Sequence, residues 1–374
     1  MRCVLGILLL ASLVHSRRPV EDDGDDGDTD VKDVHVRPQF ANHIRKFAGT
    51  RNGMRSNEQV KTRFRNYKRS AAMIKEHNKK GSSFRMGENM FMTMTPEERK
   101  LRTGLANVTS TVHKRSLSFE SRLQLRNVPA ETHDHRDYDR VSPVTDQGDC
   151  GSCWTYGTVY PLEAAISRLS NKPAVALSVQ EILSCSYEDD KKRNGCDGGW
   201  YMDGWDYVKK TGRLATDGEL PYLEADLTCE PHIEESPNAL KDYRVVDWDR
   251  VPEGDDSMLL LFSEKHVLAV AVESFGLFFY ENGLFIDDYC EKPAQVDHAM
   301  TMVGYDKEAW IVKNSWGLEW GEVGYVRISR ENENHCGIAD YAYFPIVKKK
   351  ESETSEKGDK NKKKNKNKKK KCRC

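Results

Sequence analysis

The chain has 374 residues, with 58 Lys and Arg against 59 Asp and Glu for a formal net charge of -1, and 38% of its residues are apolar. That length is more than one compact unit needs, but it does not call for more than two. The opening apolar run of about ten residues is shorter than the roughly 20 that a spanning helix requires, and no later run exceeds it, so no transmembrane segment is expected.

In chain order, residues 1–16, "MRCVLGILLLASLVHS", combine a basic start, an apolar core, and Val14 and Ser16 at the spacing a signal peptidase reads. They predict a cleaved signal peptide and entry into the secretory pathway, with a secreted or lysosomal destination. Residues 17–37 include "EDDGDDGDTDVKD" and are too acidic and too poor in apolar groups to fold alone. From 38 to about 100 the chain is charged and helix-prone. Val60, Phe64, Tyr67, Ala71, Ile74 and Asn78 fall at spacings of three and four, which is one face of a helix. A Ser, Thr and Arg-rich link follows to residue 126, exposed enough to be cut, and Asn107 in "NVT" is its glycosylation sequon. Residues 127–347 hold most of the Gly, Trp and Cys and alternate into strand-like runs such as "HVLAVAVESF" and "AWIVKNSW". The last segment, 348–374, has thirteen Lys and one Arg against four acids. Such a run is commonly solvated disorder. Its single sign also suits polyanions, either sulfated glycans or a membrane surface, and the acidic segment at 21–30 is an alternative partner.

Loss of the signal peptide removes Cys3 and leaves nine cysteines in an oxidising compartment. Cys372 and Cys374 lie in the basic tail, so the body holds seven: Cys150, Cys153, Cys185, Cys196, Cys229, Cys290 and Cys336. Three bridges leave one thiol over, and the count alone does not say which. A zinc site at Cys150 and Cys153 would need a second pair at metal spacing, and none is present, so no metal is expected.

Cys153 begins "CWTYGTVYPLEAAISRLS", which reads as a helix, and a thiol at a helix N-terminus sees the positive end of the dipole, which favours thiolate. A thiolate nucleophile needs a proton acceptor and an orienting group close by in space. His298 in "QVDHAMTMVGY" and Asn314 in "WIVKNSWG" border apolar runs, so adjacent strands could set imidazole beside amide. Taken singly, His298 would more often be a loop histidine and Asn314 a turn residue.

Together, "DQGDCGSCW", His298 and Asn314 resemble a papain-like cysteine protease of the cathepsin L type over roughly residues 55–347. The resemblance implies an α+β fold of two lobes: a helical lobe carrying Cys153 and an antiparallel, barrel-like sheet lobe carrying His298 and Asn314. A helical inhibitory propeptide, residues 38–126, would precede them. It makes Cys153 the nucleophile, His298 the general base and then acid, and Asn314 the group that orients the imidazole. Gln147 and the Cys153 N–H would form the oxyanion hole, with Trp316 as a shield against water. It also implies the bridges Cys150–Cys196, Cys185–Cys229 and Cys290–Cys336.

The propeptide resembles the family's interspersed helix motif through Gln59, Arg63, Tyr67, Ser70, Ile74 and Asn78, of which Arg63, Ile74 and Asn78 match outright. The element that follows appears as Gly87, Asn89 and Phe91, with Thr93 in place of an acid, so acid-triggered release is not carried over. "GCDGGW" resembles the glycine shelf that pairs with an extended peptide, giving Gly198 and Gly199 as substrate contacts. The S2 pocket maps, within one residue, onto Tyr201, Met202, Ala271, Val296 and Tyr341, an apolar set that favours Leu or Val at P2. No long insertion separates Gly199 from Cys229, which favours endopeptidase over dipeptidase action.

Departures from the family are His135 in place of a usual Trp, Thr155 and Tyr156 for the usual Ala and Phe, and Pro161. The proline sits inside the nucleophile's helix, where loss of one backbone bond costs about 3 kcal/mol unless the helix kinks. The reading is therefore a thiol-dependent endopeptidase made as a zymogen, which needs no cofactor and has protein or peptide substrates, its own propeptide as inhibitor and no nucleic-acid target. The alternative is a catalytically inactive papain-fold binding or matrix protein, which would more often have lost the nucleophile.

Overall fold

The structure is a computed structural model that describes residues 33–47, 56–106, 128–186, 195–229, 237–287, 290 and 293–350. The segment expected to be a signal peptide, the acidic run up to residue 32, Asn107, and the tail from 351 with Cys372 and Cys374 lie outside the described residues.

Two helices open the chain, α1 (Asp33–Phe47) and α2 (Asn57–Lys79). α1 starts inside the segment read as acidic disorder, because Val36, Phe40 and Ile44 at four-residue spacing give it an apolar stripe to bury. Phe40 meets Phe64 and Tyr67 of α2, with ring centroids 5.2 and 5.6 Å apart. α2 is started by a capping box in which Ser56 Oγ accepts from the Gln59 N–H and Gln59 Oε1 accepts from the Ser56 N–H. Its inward face is the expected one except for Val60, which is 37% exposed a turn short of the packing surface. Strand β1 (Phe84–Met86) and the short helix α3 (Pro96–Lys100) complete the arm.

The remaining elements are β2 (His133–Asp134), α4 (Cys153–Ser170), α5 (Val179–Cys185), α6 (Tyr201–Thr211), β3 (Tyr243–Arg250), α7 (Asp256–Ser263), β4 (Leu268–Val272), β5 (Tyr280–Phe285), β6 (His298–Tyr305), β7 (Ala309–Lys313), β8 (Tyr325–Ser329) and β9 (Tyr343–Lys349). The strand order is β1-β5-β8-β7-β6-β4-β9-β3, with β2 paired to β6. All pairings are antiparallel except β5 with β8. The α+β fold is the expected one, and its sheet lobe is open, with β1 and β3 as the end strands of the order. β9 continues to Lys349, with Lys348 and Lys349 opposite Arg244 and Tyr243, so the segment read as a tail from 348 begins inside a strand.

Two apolar clusters define the lobes. One gathers Trp154, Val159, Ile182, Trp205 and Val208 around the helices, and the other gathers Phe262, Val270, Met302, Trp310 and Ile328 around the sheet. β1 extends the sheet lobe's edge, Phe84 opposite Gly283 and Met86 opposite Tyr280. The arm is thereby fixed to the sheet lobe by backbone pairing as well as by Phe84, Phe91 and Met92 in its cluster. α4 runs on through Pro161 to Ser170 with thirteen residues buried, and that burial outweighs the lost backbone bond.

The three bridges are Cys150–Cys196, Cys185–Cys229 and Cys290–Cys336, closing 44- to 46-residue separations. In a chain-entropy account each contributes about 4 kcal/mol against the unfolded state. Cys153 is the free cysteine among the described residues.

Candidate active site

Cys153 is the first residue of α4, after Ser152, whose hydroxyl meets the Tyr222 hydroxyl at 2.6 Å rather than capping the helix. Its Sγ accepts from the Ala299 N–H at 3.3 Å. His298, the neighbour of Ala299, opens β6, so the imidazole is carried by the residue next in the chain to the one whose N–H touches the thiol. Register fixes this edge: Ala299 lies opposite Ala271, and His298 opposite Val272. His298 Nε2 is 2.8 Å from Asn314 Oδ1, which makes Nε2 the donor and leaves Nδ1, buried and without a hydrogen-bond partner, as the other ring nitrogen. Asn314 follows β7, and its backbone N–H donates to the Gly324 carbonyl at 2.9 Å.

Trp316 stacks on the His298 ring at 4.6 Å and on Phe278 at 5.2 Å, and Phe91 of the arm meets its edge at 4.9 Å. Gln147 is fully buried: its Nε2 donates to the Cys150 carbonyl at 2.9 Å, and its Oε1 accepts from Ser315 Oγ at 2.7 Å. The structure therefore brings Cys153, His298, Asn314, Gln147 and Trp316 into one place.

That place is covered. The Gly104 and Leu105 N–H groups both donate to the Asp297 carbonyl at 3.1 Å, the Gly199 N–H donates to the Gly104 carbonyl at 2.9 Å, and Leu105 bridges Gly199 in parallel. Only glycine fits at 104, since a Cβ there would stand 1.9 Å from the Gly151 carbonyl oxygen. The start of the link read as exposed is thus buried in the cleft, with Arg102 and Thr103 at most 9% exposed.

Covering the site changes its electrostatics. Burial pushes the Cys153 thiol up to about 12, with Asp297 adding to the rise, while the N–H groups of Ala299, Trp154 and Cys153 itself oppose it. Burial pushes His298 down to about 4 against the bond to Asn314. The expectation that the helix terminus favours thiolate is overridden here, because desolvation outweighs the dipole while the pro-segment is in place. The covered pair is a neutral thiol beside a neutral imidazole.

The pocket residues fall into one apolar cluster, Tyr201, Met202 and Ala271 fully buried, Val296 and Tyr341 partly so, with Leu105 and Ala106 packed against it. Trp200, which the sequence reading passed over, lies 5.3 Å from Tyr341 and 5.7 Å from Tyr201. Tyr201 gives its hydroxyl to the Tyr341 carbonyl, so the polar tip is satisfied inside the wall. Arg250, with its guanidinium 5.7 Å from the Tyr341 ring, is bonded to Glu253 and to the Asp340 carbonyl.

The sequence reading also missed Glu98. Thr93 leaves no acid in its motif, yet Arg63 pairs bidentately with Glu98 and donates to the Thr93 carbonyl at 3.0 Å. Glu98 was legible as the fourth residue of a capping box with Thr95, whose N–H it accepts at 2.8 Å. Cys290, His335 and Cys336 offer ligand atoms within 4.8 Å of one another, but both sulfurs are consumed by a disulfide and make no zinc site.

Residues 129–346 match the papain family cysteine protease model and residues 41–99 the cathepsin propeptide inhibitor domain. The chain belongs to the papain family of cysteine proteases. It is a zymogen of that family, with peptides as substrates and its own propeptide as inhibitor. It is 34% identical to cysteine proteinase 2 of Zea mays, over 77% of this chain and 79% of that protein. It is 32% identical to procathepsin L of Felis catus, over 75% and 85% of the two chains. The solved structure of a digestive procathepsin L2 from Tenebrio molitor superposes with a TM-score of 0.73 at 30% identity, covering 83% of this chain and 99% of that one. No helix among the described residues is long and apolar enough to cross a membrane.

Proposed function

We propose that Cys153 is the nucleophile of a thiol endopeptidase, with His298 as general base and acid, Asn314 as its orienter, and Gln147 with the Cys153 N–H as oxyanion donors. The observation that carries this is the contact of His298 Nε2 with Asn314 Oδ1 at 2.8 Å, while the next residue's N–H reaches Cys153 Sγ. Removal of residues before 127 rehydrates the cleft, and the thiol proton passes to His298 Nδ1. The thiolate adds to the substrate carbonyl carbon, and the oxyanion is held by the two donors. The imidazolium proton then goes to the leaving amine as the C–N bond breaks, giving a thioester on Cys153. Water attacks the thioester, its proton goes to His298, and the acid product leaves with the thiol restored.

The acyl side of the substrate lies along Gly198 and Gly199 with its P2 side chain among Tyr201, Met202, Ala271, Val296 and Tyr341. The apolar lining supports a neutral P2 residue, since a guanidinium buried there would lack an acid partner. A secreted or lysosomal destination and polyanion binding by the segment from 351 complete the reading, and loss of heparin retention on deleting 351–374 checks the latter.

The deciding experiment uses processed protein and fluorogenic dipeptides. Hydrolysis should favour Leu or Val over Arg at P2 by about tenfold or more and disappear in Cys153→Ser, which also escapes labelling by an epoxysuccinyl reagent. Full activity in that variant refutes the mechanism, and a folded, unlabelled native protein supports the inactive binding alternative.

A further inference from the structure

The pro-segment seats a charged side chain in the cleft. Arg102, 8% exposed, places its guanidinium between two carboxylates: Nη1 is 2.6 Å from Asp146 Oδ1, and Nε is 3.0 Å from Asp149 Oδ1. Its carbonyl accepts from Trp316 Nε1 at 2.8 Å. Among the described residues it is the only basic side chain paired with either acid, and both acids belong to the domain that remains after processing. They are 43% and 45% exposed even with Arg102 in place. Asp146 is held in position, its Oδ1 accepting from the Gly148 N–H at 2.9 Å and its backbone bridged to Trp316. The carboxylate of Glu224 lies over Gly148, where an added Cβ would be 2.0 Å from Oε2, so the negative field there has a third source.

The position along the cleft gives the clamp its meaning. Leu105 and Ala106 lie at Gly199, on the acyl side of Cys153, whereas Arg102 lies beside Trp316 on the opposite side. A peptide cleaved at Cys153 carries its leaving-group residues past Trp316. Recognition of a cation by two carboxylates depends on charge and hydrogen bonding and not on the direction of the main chain. The pro-segment therefore fills in reverse a site that a substrate fills in the forward sense.

We propose that Asp146 and Asp149 form a subsite for a basic residue, Arg or Lys, at the first or second position after the scissile bond. The inference rests on the peptidase reading above and adds a second selectivity to the apolar one at P2.

The test uses full-length protein whose pro-segment has been cut by a trace of an unrelated protease. Internally quenched peptides, identical but for Arg, Ala or Glu at the first or second leaving-side position, carry Leu at P2. At one of the two positions kcat/KM should fall in the order Arg, Ala, Glu, with Arg ahead of Ala by about tenfold or more. That ratio should shrink as salt is raised. In the double variant Asp146→Asn, Asp149→Asn it should drop below about threefold. Hydrolysis with equal rates for Arg and Ala at both positions overturns the inference alone, as does an undiminished ratio in the double variant. No hydrolysis of any peptide overturns the peptidase reading and the inference together. The native peptide and salt series decide the matter even if the double variant does not fold.

Discussion

The helical lobe delivers Cys153 from the first residue of a single buried helix, whereas the sheet lobe assembles His298 and Asn314 from the start of one strand and the end of another. The first is a local device. Two of the three disulfides, Cys150–Cys196 and Cys185–Cys229, brace that lobe, and the free thiol stands three residues from one of them. The second is a register device, since a slip of one residue in β6 would turn His298 to the other face. The lobes are joined beneath the site by Ser142, which donates to Glu163 of α4 at 2.6 Å while its carbonyl accepts from Lys313 at 2.8 Å. Lys313 immediately precedes Asn314, so the interlobe tie and the amide that meets His298 share one strand end. A nucleophile can be placed by one element; a proton relay needs two elements held against each other.

The largest test of that contrast is His298→Ala, which should cost at least about 10⁴ in kcat/KM on a small peptide. A loss below about a hundredfold would mean that the sheet lobe supplies no proton-transfer group. Next is Phe91→Ala, which removes the arm's ring that packs against both Phe278 and Trp316 of the sheet lobe. Deleting a buried Phe costs about 3–5 kcal/mol, so the unprocessed chain should be labelled at Cys153 by a thiol reagent up to about 10² to 10⁴ times faster. Unchanged labelling would assign the cover to the thread over Gly199 instead.

Asn314→Ala should be milder, about 10- to 100-fold, because the base remains and only its aim is lost. A loss equal to that of His298→Ala would place Asn314 in the proton transfer itself.

The smallest expected effect concerns His135, which replaces the usual Trp and is 1% exposed, with its Nε2 2.9 Å from the Ser263 carbonyl. Burial first, and His133 second, hold it down to about 4 from 6.5, Arg140 adds to the fall, and the Ser263 and His266 backbones oppose it. Between those values the unfolded chain binds the extra proton, so this stabilisation is complete above about pH 6.5 and is lost as pH falls toward 4. His135→Gln should flatten the fall of Tm between pH 7 and 4.5 without abolishing it, since buried His266 is depressed in the same direction. An unchanged slope would remove His135 from the acid response.

Much of the site was legible because its signals are local. Cys153 heads a helix, and the capping boxes at Ser56 and Thr95 mark helix starts by residue type alone. The exposure of Val60 and the open order of the sheet were not legible. Periodicity says which face is apolar but not how far the neighbouring helix extends over it, and alternation says that strands exist but not whether their order closes. Glu98 as the partner of Arg63, and Arg102 between Asp146 and Asp149, join residues 35 to 47 positions apart, beyond any local pattern.

The sequence by itself determined the family and the candidate nucleophile, base and orienter, through residue types in a fixed order, and the resemblance it carries implied the three bridges that the structure has. Only the tertiary structure decided the protonation state of the covered site and the reach of the pro-segment. A pKa follows the water excluded around a group, and Gly104 and its neighbours, nearly fifty residues from Cys153 in the chain, lie against Gly151 and Asp297 in the cleft that holds it.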